Sequence, residues 1–118
     1  MVSIGATNTE TWVISKQHLA SAFGSGLVDV LATPVLVGFC EEAARRMIDP
    51  QLPEGQKTVG TSVALTHSAA TPLGMTVSIR ATLTEVDRRK LTFQIECSDE
   101  VESIGQCTHT RLIIDASR

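Results

Sequence analysis

From Met75 to Leu83, apolar Met75, Val77, Ile79, Ala81 and Leu83 alternate with Thr76, Ser78, Arg80 and Thr82. The same period runs through Leu91, Phe93, Ile95 and Cys97 against Thr92, Gln94, Glu96 and Ser98. A further strand is read in "IGQCTHTRLIID", residues 104–115. Period-two alternation describes a sheet with one covered face and one wet face. The stretch 59–83, "VGTSVALTHSAATPLGMTVSIRATL", reads as two such strands joined by a Pro/Gly turn. On the first of them, Val59, Thr61, Val63, Leu65 and His67 fall on one side, so an imidazole stands where a core residue would point. Short turns between successive strands predict antiparallel pairing between sequence neighbours.

The period changes to 3.6 in "TPVLVGFCEEAARRMIDP", residues 33–50. Thr33 is a good N-cap, and Pro34 suits the first helical position because its missing N–H is not needed there. Pro50 disfavours helix at Asp49, so the helix ends near Ile48. Leu36, Val37, Phe39, Cys40, Ala43, Ala44, Met47 and Ile48 cover most of its circumference, which predicts a buried helix. "TWVIS", 11–15, reads as a short first strand, and "QLPEGQK", 51–57, as a loop. The economical packing is an α+β single domain over 1–118, its antiparallel sheet of about five strands curved round one central helix.

Composition narrows the field. At 118 residues, 42% hydrophobic and 19% charged, the chain has the balance of an ordinary globular domain. A net charge of −3 gives no footprint for nucleic acid, and the "DRRK" run at 87–90 is short enough to be a solvated turn. No apolar stretch approaches the ~20 residues of a membrane span, and "MVSIGATNTE" lacks the basic start and apolar core of a signal peptide. Three widely spaced cysteines without a C-x-x-C pair read as reduced thiols, so a cytoplasmic setting is expected. Cys97, Cys107 and His109 lack the spacing and the fourth ligand of a zinc site, so no metal is expected. "GSG" at 24–26 lacks the lysine of a phosphate loop and reads as a flexible turn.

Candidate chemistry lies on the helix and the strand after it. Glu41 and Glu42 are adjacent, so their side chains point about 100° apart. Glu41 shares a face with Val37, Ala44, Arg45 and Ile48, and a carboxylate there must be paired or chemically employed. The bland alternative is an ion pair with Arg45 one turn on. Thr33 alone could be a cap, and His67 alone could be a core histidine bonded to a carbonyl. Together with Glu41 they supply a hydroxyl, a carboxylate and an imidazole.

Four segments carry a resemblance: "DVLATPVLVGFCEEAA" (29–44), "TVGTSVALTHSAATPLGMTV" (58–77), "EVDRRKLTF" (85–93) and "IGQCTHTRLIID" (104–115). With them the chain resembles the hot-dog fold acyl-CoA thioesterases, specifically the subgroup of fluoroacetyl-CoA thioesterase. The resemblance implies catalytic roles for Thr33, Glu41 and His67, with Gly60 lining the acyl site. That subgroup closes its pocket with an aromatic lid before the helix. Here the same segment offers Phe23 and an aliphatic Leu27, so these are the candidate acyl-contacting residues and selectivity for fluoroacetate is not expected.

The implied activity is hydrolysis of an acyl-CoA, with a short acyl group, to free acid and CoA. Glu41 would attack the thioester carbonyl or activate water. Thr33 would hydrogen-bond the carboxylate or the attacking species, and His67 would serve the leaving thiolate. Amides at the helix start after Thr33 would hold the oxyanion. Coenzyme A enters as part of the substrate and no further cofactor is implied. The resemblance also implies a homodimer, or a higher oligomer, with sites at the subunit interface. A non-catalytic acyl-CoA binding module and a hot-dog hydratase or dehydratase are the alternatives.

Overall fold

Alternation along the second half of the chain builds a five-stranded antiparallel sheet in the computed structural model, which describes residues 2–116. The strands are β1 (Thr7–Val13), β2 (Gln56–His67), β3 (Thr76–Asp87), β4 (Lys90–Ser98) and β5 (Ser103–Asp115). Two helices precede β2: the short α1 (Ala20–Phe23) and the long α2 (Thr33–Ile48). The first strand starts earlier than the segment 11–15 foretold, because Thr7–Thr11 finds a partner in β3.

The spatial order is β1-β3-β4-β5-β2. Successive strands β3, β4 and β5 pair as expected, but β2 does not form a hairpin with β3. It crosses the sheet and lies beside β5, leaving β2 as an open edge. The connection 68–75 is long enough for that crossing, and turn chemistry alone does not choose the neighbour.

The inward residues Val77, Ile79, Ala81, Leu83, Leu91, Phe93, Ile95, Cys97, Ile104 and Cys107 are buried. They meet Leu36, Phe39, Cys40, Ala43, Ala44, Met47 and Ile48 of α2. That helix is buried along one face rather than all round: Gly38, Arg45 and Arg46 are exposed, and Val35, Val37, Glu41 and Glu42 are half-buried. Its cap also differs. Ala32 is the N-cap residue, Thr33 is the first helical residue, and no side chain caps the start. The amides of Val35 and Leu36 turn to the Ala32 carbonyl, and the Thr33 hydroxyl is spent elsewhere.

A β-bulge between Gly60 and Ser62 corrects the reading of β2. Thr61 is the extra residue, so the inward phase changes there. Before the bulge Thr58 and Gly60 face α2 while Val59 is exposed; after it Val63, Leu65 and His67 face inward, with Val63 and Leu65 packed on the core. Val59 and Thr61 therefore do not share the side of His67.

Candidate active site

Helix α2 runs antiparallel to β2, and three contacts set the register: Thr33 with His67, Glu41 with Gly60, and Asp49 with Thr58. At the helix start, Thr33 Oγ1 lies 2.8 Å from His67 Nδ1. His67 Nε2 is buried and takes no hydrogen bond from the described residues. The pair opens on a cavity of about 300 Å³ lined also by Ala20, Leu31, Ser68 and Ala69. Small residues after His67 leave this space, which explains the run "HSAA". Opposite His67 on β5 stands Gly105, where a Cβ would lie 2.6 Å from the Thr66 carbonyl oxygen. Only glycine lets the two strands close there. Burial pushes the His67 imidazole below its ordinary value, offset in part by the Ala69 backbone.

Two turns further along α2, about 12 Å on, Glu41 faces β2 at Gly60. A Cβ at Gly60 would overlap Glu41 Oε2 and would lie 3.2 Å from His109 Cε1. The missing side chain is therefore the seat of the carboxylate. Arg111 Nη1 is 4.0 Å from Glu41 Oε2, and the Glu41 side chain keeps 41% of its exposure. It is thus a partly exposed carboxylate within reach of a buried guanidinium.

Arg111 itself is buried and fixed on several sides. Its Nε donates to Thr58 Oγ1 at 2.7 Å and its Nη2 to the Thr58 carbonyl at 3.0 Å. Thr58 Oγ1 in turn donates to Asp49 Oδ1 at 2.6 Å. Arg111 Nη1 lies 3.3 Å from His109 Nε2, and His109 Nδ1 lies 2.8 Å from the Ser62 carbonyl. A buried guanidinium requires such compensation.

The alternative Glu41–Arg45 pair is not what forms. Glu42 makes the ion pair one turn on, with Arg46, which also reaches Glu10 at 2.8 Å. The sequence pattern does not single out Arg111, and it offers His109 only as a zinc ligand that lacks its partners. The signal was available in "CTHTR": Cys107, His109 and Arg111 alternate on one strand face, and an inward arginine must be paired.

Within one chain the structure brings Thr33 to His67 and Gly60 to Glu41, but the two groups sit apart along α2. Phe23 and Leu27 are 57% and 98% exposed and do not line the Thr33–His67 cavity. The three thiols are buried and free; hydrogen bonds with Cys107 and Cys97, together with burial, push the Cys40 thiol well up. Among the described residues, no group of three or more His, Cys, Asp or Glu could hold a metal ion. No helix there is long and apolar enough to cross a membrane.

A helix laid along a five-stranded antiparallel sheet, with a carboxylate in its middle and a hydroxyl–imidazole pair at its start, defines a hot-dog fold protein of the thioesterase kind. Residues 14–117 match the family model described as fluoroacetyl-CoA-specific thioesterase, and the chain belongs to that family. It is 41% identical over 86 residues to the fluoroacetyl-CoA thioesterase of Streptantibioticus cattleyicolor. That match spans 73% of this chain and 62% of the relative's length. A crystal structure of a fluoroacetyl-CoA-specific thioesterase variant in complex with fluoroacetate and CoA superposes with a TM-score of 0.93 at 31% identity, covering 98% of each chain. A Thermus thermophilus thioesterase superfamily member shares the fold with a TM-score of 0.91 at 24% identity, over 99% of this chain and 87% of that one.

Proposed function

We propose that the protein hydrolyses a short acyl-CoA thioester to the free acid and CoA. The observation that carries this is the seat of Glu41: a half-exposed carboxylate beside a fixed guanidinium, in space that Gly60 leaves vacant. A carboxylate held so is equipped to attack a thioester carbonyl or to take a proton from water. A fold-sharing relative crystallised with fluoroacetate and CoA supports the substrate class.

Thr33 and His67 would serve the thioester from the other end. If the Thr33 hydroxyl donates to Nδ1, the proton of the neutral imidazole is on Nε2, where it faces an unfilled need for an acceptor. A thioester oxygen or the departing thiolate would meet that need. Pro34 has no amide proton, and Val35 and Leu36 are committed to Ala32, so the Thr33 amide is the first-turn donor left for an oxyanion.

The open edge of β2 and the separation of Glu41 from Thr33 and His67 support a homodimer joined along that edge, with each site completed across the interface. Phe23 and Leu27, exposed in one chain, would then contact the acyl group or the partner. Three free cysteines suit a reducing, cytoplasmic setting.

The deciding experiment follows free CoA thiol released from a panel of acyl-CoAs, alongside the acyl chain by mass spectrometry. Thiol release that tracks loss of the thioester is the expected result. Binding without turnover, or addition or loss of water on an intact thioester, would replace hydrolysis with the binding-module or hydratase reading.

A further inference from the structure

We propose that His109 is a positioning residue: as the neutral Nδ1–H tautomer it locks Arg111, and through Arg111 it sets where the Glu41 carboxylate stands. Both neighbours of the ring demand that tautomer. The Ser62 carbonyl, 2.8 Å from Nδ1, can only accept, so Nδ1 carries the proton. The Arg111 guanidinium, 3.3 Å from Nε2, can only donate, so Nε2 offers its lone pair. A cationic ring would set an N–H against an N–H and one buried charge against another.

The surroundings favour the neutral ring. His109 is fully buried on β5, with Phe93 of β4 stacked at 6.1 Å. Burial lowers its proton affinity and Arg111 lowers it further, while the Ser62 carbonyl and Glu41 of α2 act the other way. Beyond Arg111 lie Asp49, which holds it through Thr58, and Arg45 of α2, which opposes its charge. The Ser62 end of the lock is at the bulge of β2, the irregularity that turns Gly60 toward Glu41. One imidazole thus ties together the strand segment that makes room for the carboxylate and the cation that faces it.

The inference rests on the role given to Glu41 above, and two measurements separate its failure from the failure of that role. Long-range proton–nitrogen NMR of the parent protein reads the ring directly, with no dependence on activity. The expected spectrum shows a protonated Nδ1 and a bare Nε2 at pH 7, persisting below the ordinary histidine value of 6.5. A cationic ring or a protonated Nε2 at pH 7 overturns the lock.

Kinetics read its consequence. His109→Leu should lower kcat about 10- to 100-fold, the scale of an ångström-sized misplacement, with KM within about threefold. His109→Gln, whose amide can donate to Ser62 and accept from Arg111, should recover at least tenfold when the leucine loss is near the upper end. A folded His109→Leu variant with parental kcat overturns the proposal. If His109→Leu does not fold, His109→Gln decides: folded and within about tenfold of the parent supports the lock, whereas folded and as inactive as Glu41→Gln overturns it. Full activity in Glu41→Gln would remove the role of Glu41 while leaving the ring spectrum to report on the lock.

Discussion

The two halves of the site are built on different principles. Around Glu41 every supporting group is internal: Gly60 vacates the space, Arg111 supplies the charge, and Thr58, Asp49 and His109 fix the guanidinium. Around Thr33 the support ends after one hydrogen bond to His67, at an open strand edge beside a cavity. Two turns of one helix therefore carry a preformed seat and an unfinished one. The contrast teaches that the long helix is the ruler of the site, while the strand facing it decides how complete each mark is.

The largest expected effect separates adjacent glutamates. Glu41→Gln keeps the shape and removes the charge, so kcat should fall on the order of 10²–10⁴-fold, more if Glu41 is the nucleophile. Glu42→Gln breaks a partly exposed ion pair with Arg46, worth roughly 0–1 kcal/mol, and should stay within a few-fold of the parent. Steady-state rates on a short acyl-CoA, with circular dichroism to confirm folding, make the test. Comparable rates in Glu41→Gln and the parent would break the preformed half of the comparison.

Next in size is the vacancy itself. Gly60→Ala places a methyl group against Glu41 Oε2 and tight on His109. Relief requires the carboxylate to move, so kcat should drop roughly 10²-fold while the protein stays folded, because the Glu41 side chain is 41% exposed and can swing toward solvent. A Gly60→Ala variant with unchanged kcat would show that the seat is not reserved for the carboxylate. At the other half, Thr33→Ala removes the hydroxyl bonded to His67 Nδ1 and should cost less, about tenfold, since the imidazole keeps its cavity. A loss larger than that of Gly60→Ala would reverse the order assigned to the two halves.

Selectivity is expected to be a smaller effect. Leu27 stands almost wholly exposed where an aromatic lid was the alternative, and a pocket discriminates poorly against a difference of one small substituent. The ratio of kcat/KM for fluoroacetyl-CoA over acetyl-CoA should lie within about 10²-fold. A much higher ratio would mean that the fluoroacetyl preference does not depend on that lid.

Much of this arrangement was legible before the structure. The period-two runs and the Thr-Pro start of α2 locate the strands and the helix, and the resemblance picks out Thr33, Glu41, Gly60 and His67. What was hidden is non-local. The crossing of β2 to β5 depends on which edge the core leaves available, which no turn residue encodes. The bulge at Gly60–Ser62 shifts the phase of one strand without breaking its apolar alternation, so Val59 looked inward and Thr58 did not. Arg111 is inconspicuous because "HTRLIID" satisfies a strand pattern, although an inward arginine is the residue most in need of a partner. The Thr33 hydroxyl looked like a cap because caps are local and its partner is 34 residues away.

The smallest expected effect compares the halves through their histidines. Both His67 and His109 hold their protons less tightly than an ordinary histidine at 6.5, chiefly because burial disfavours the cation. The unfolded chain therefore binds more protons than the folded one just below that value, and stability rises with pH through the window. Equivalently, stability is lost as pH falls below about 6.5. Asp99 and Glu10 have lowered values too, but theirs act only near and below 3.8 and 4.5, so they leave this window clear. The melting temperature should fall by roughly a few degrees between pH 7.5 and 5.5. His109 is fully buried and bonded at both nitrogens, whereas His67 is half-buried beside an open cavity. His109→Gln should therefore flatten the pH dependence more than His67→Gln. Equal flattening by the two variants, or a parent melting temperature that does not change across the window, would show that the seat of Glu41 holds its histidine no more tightly than the open edge holds His67.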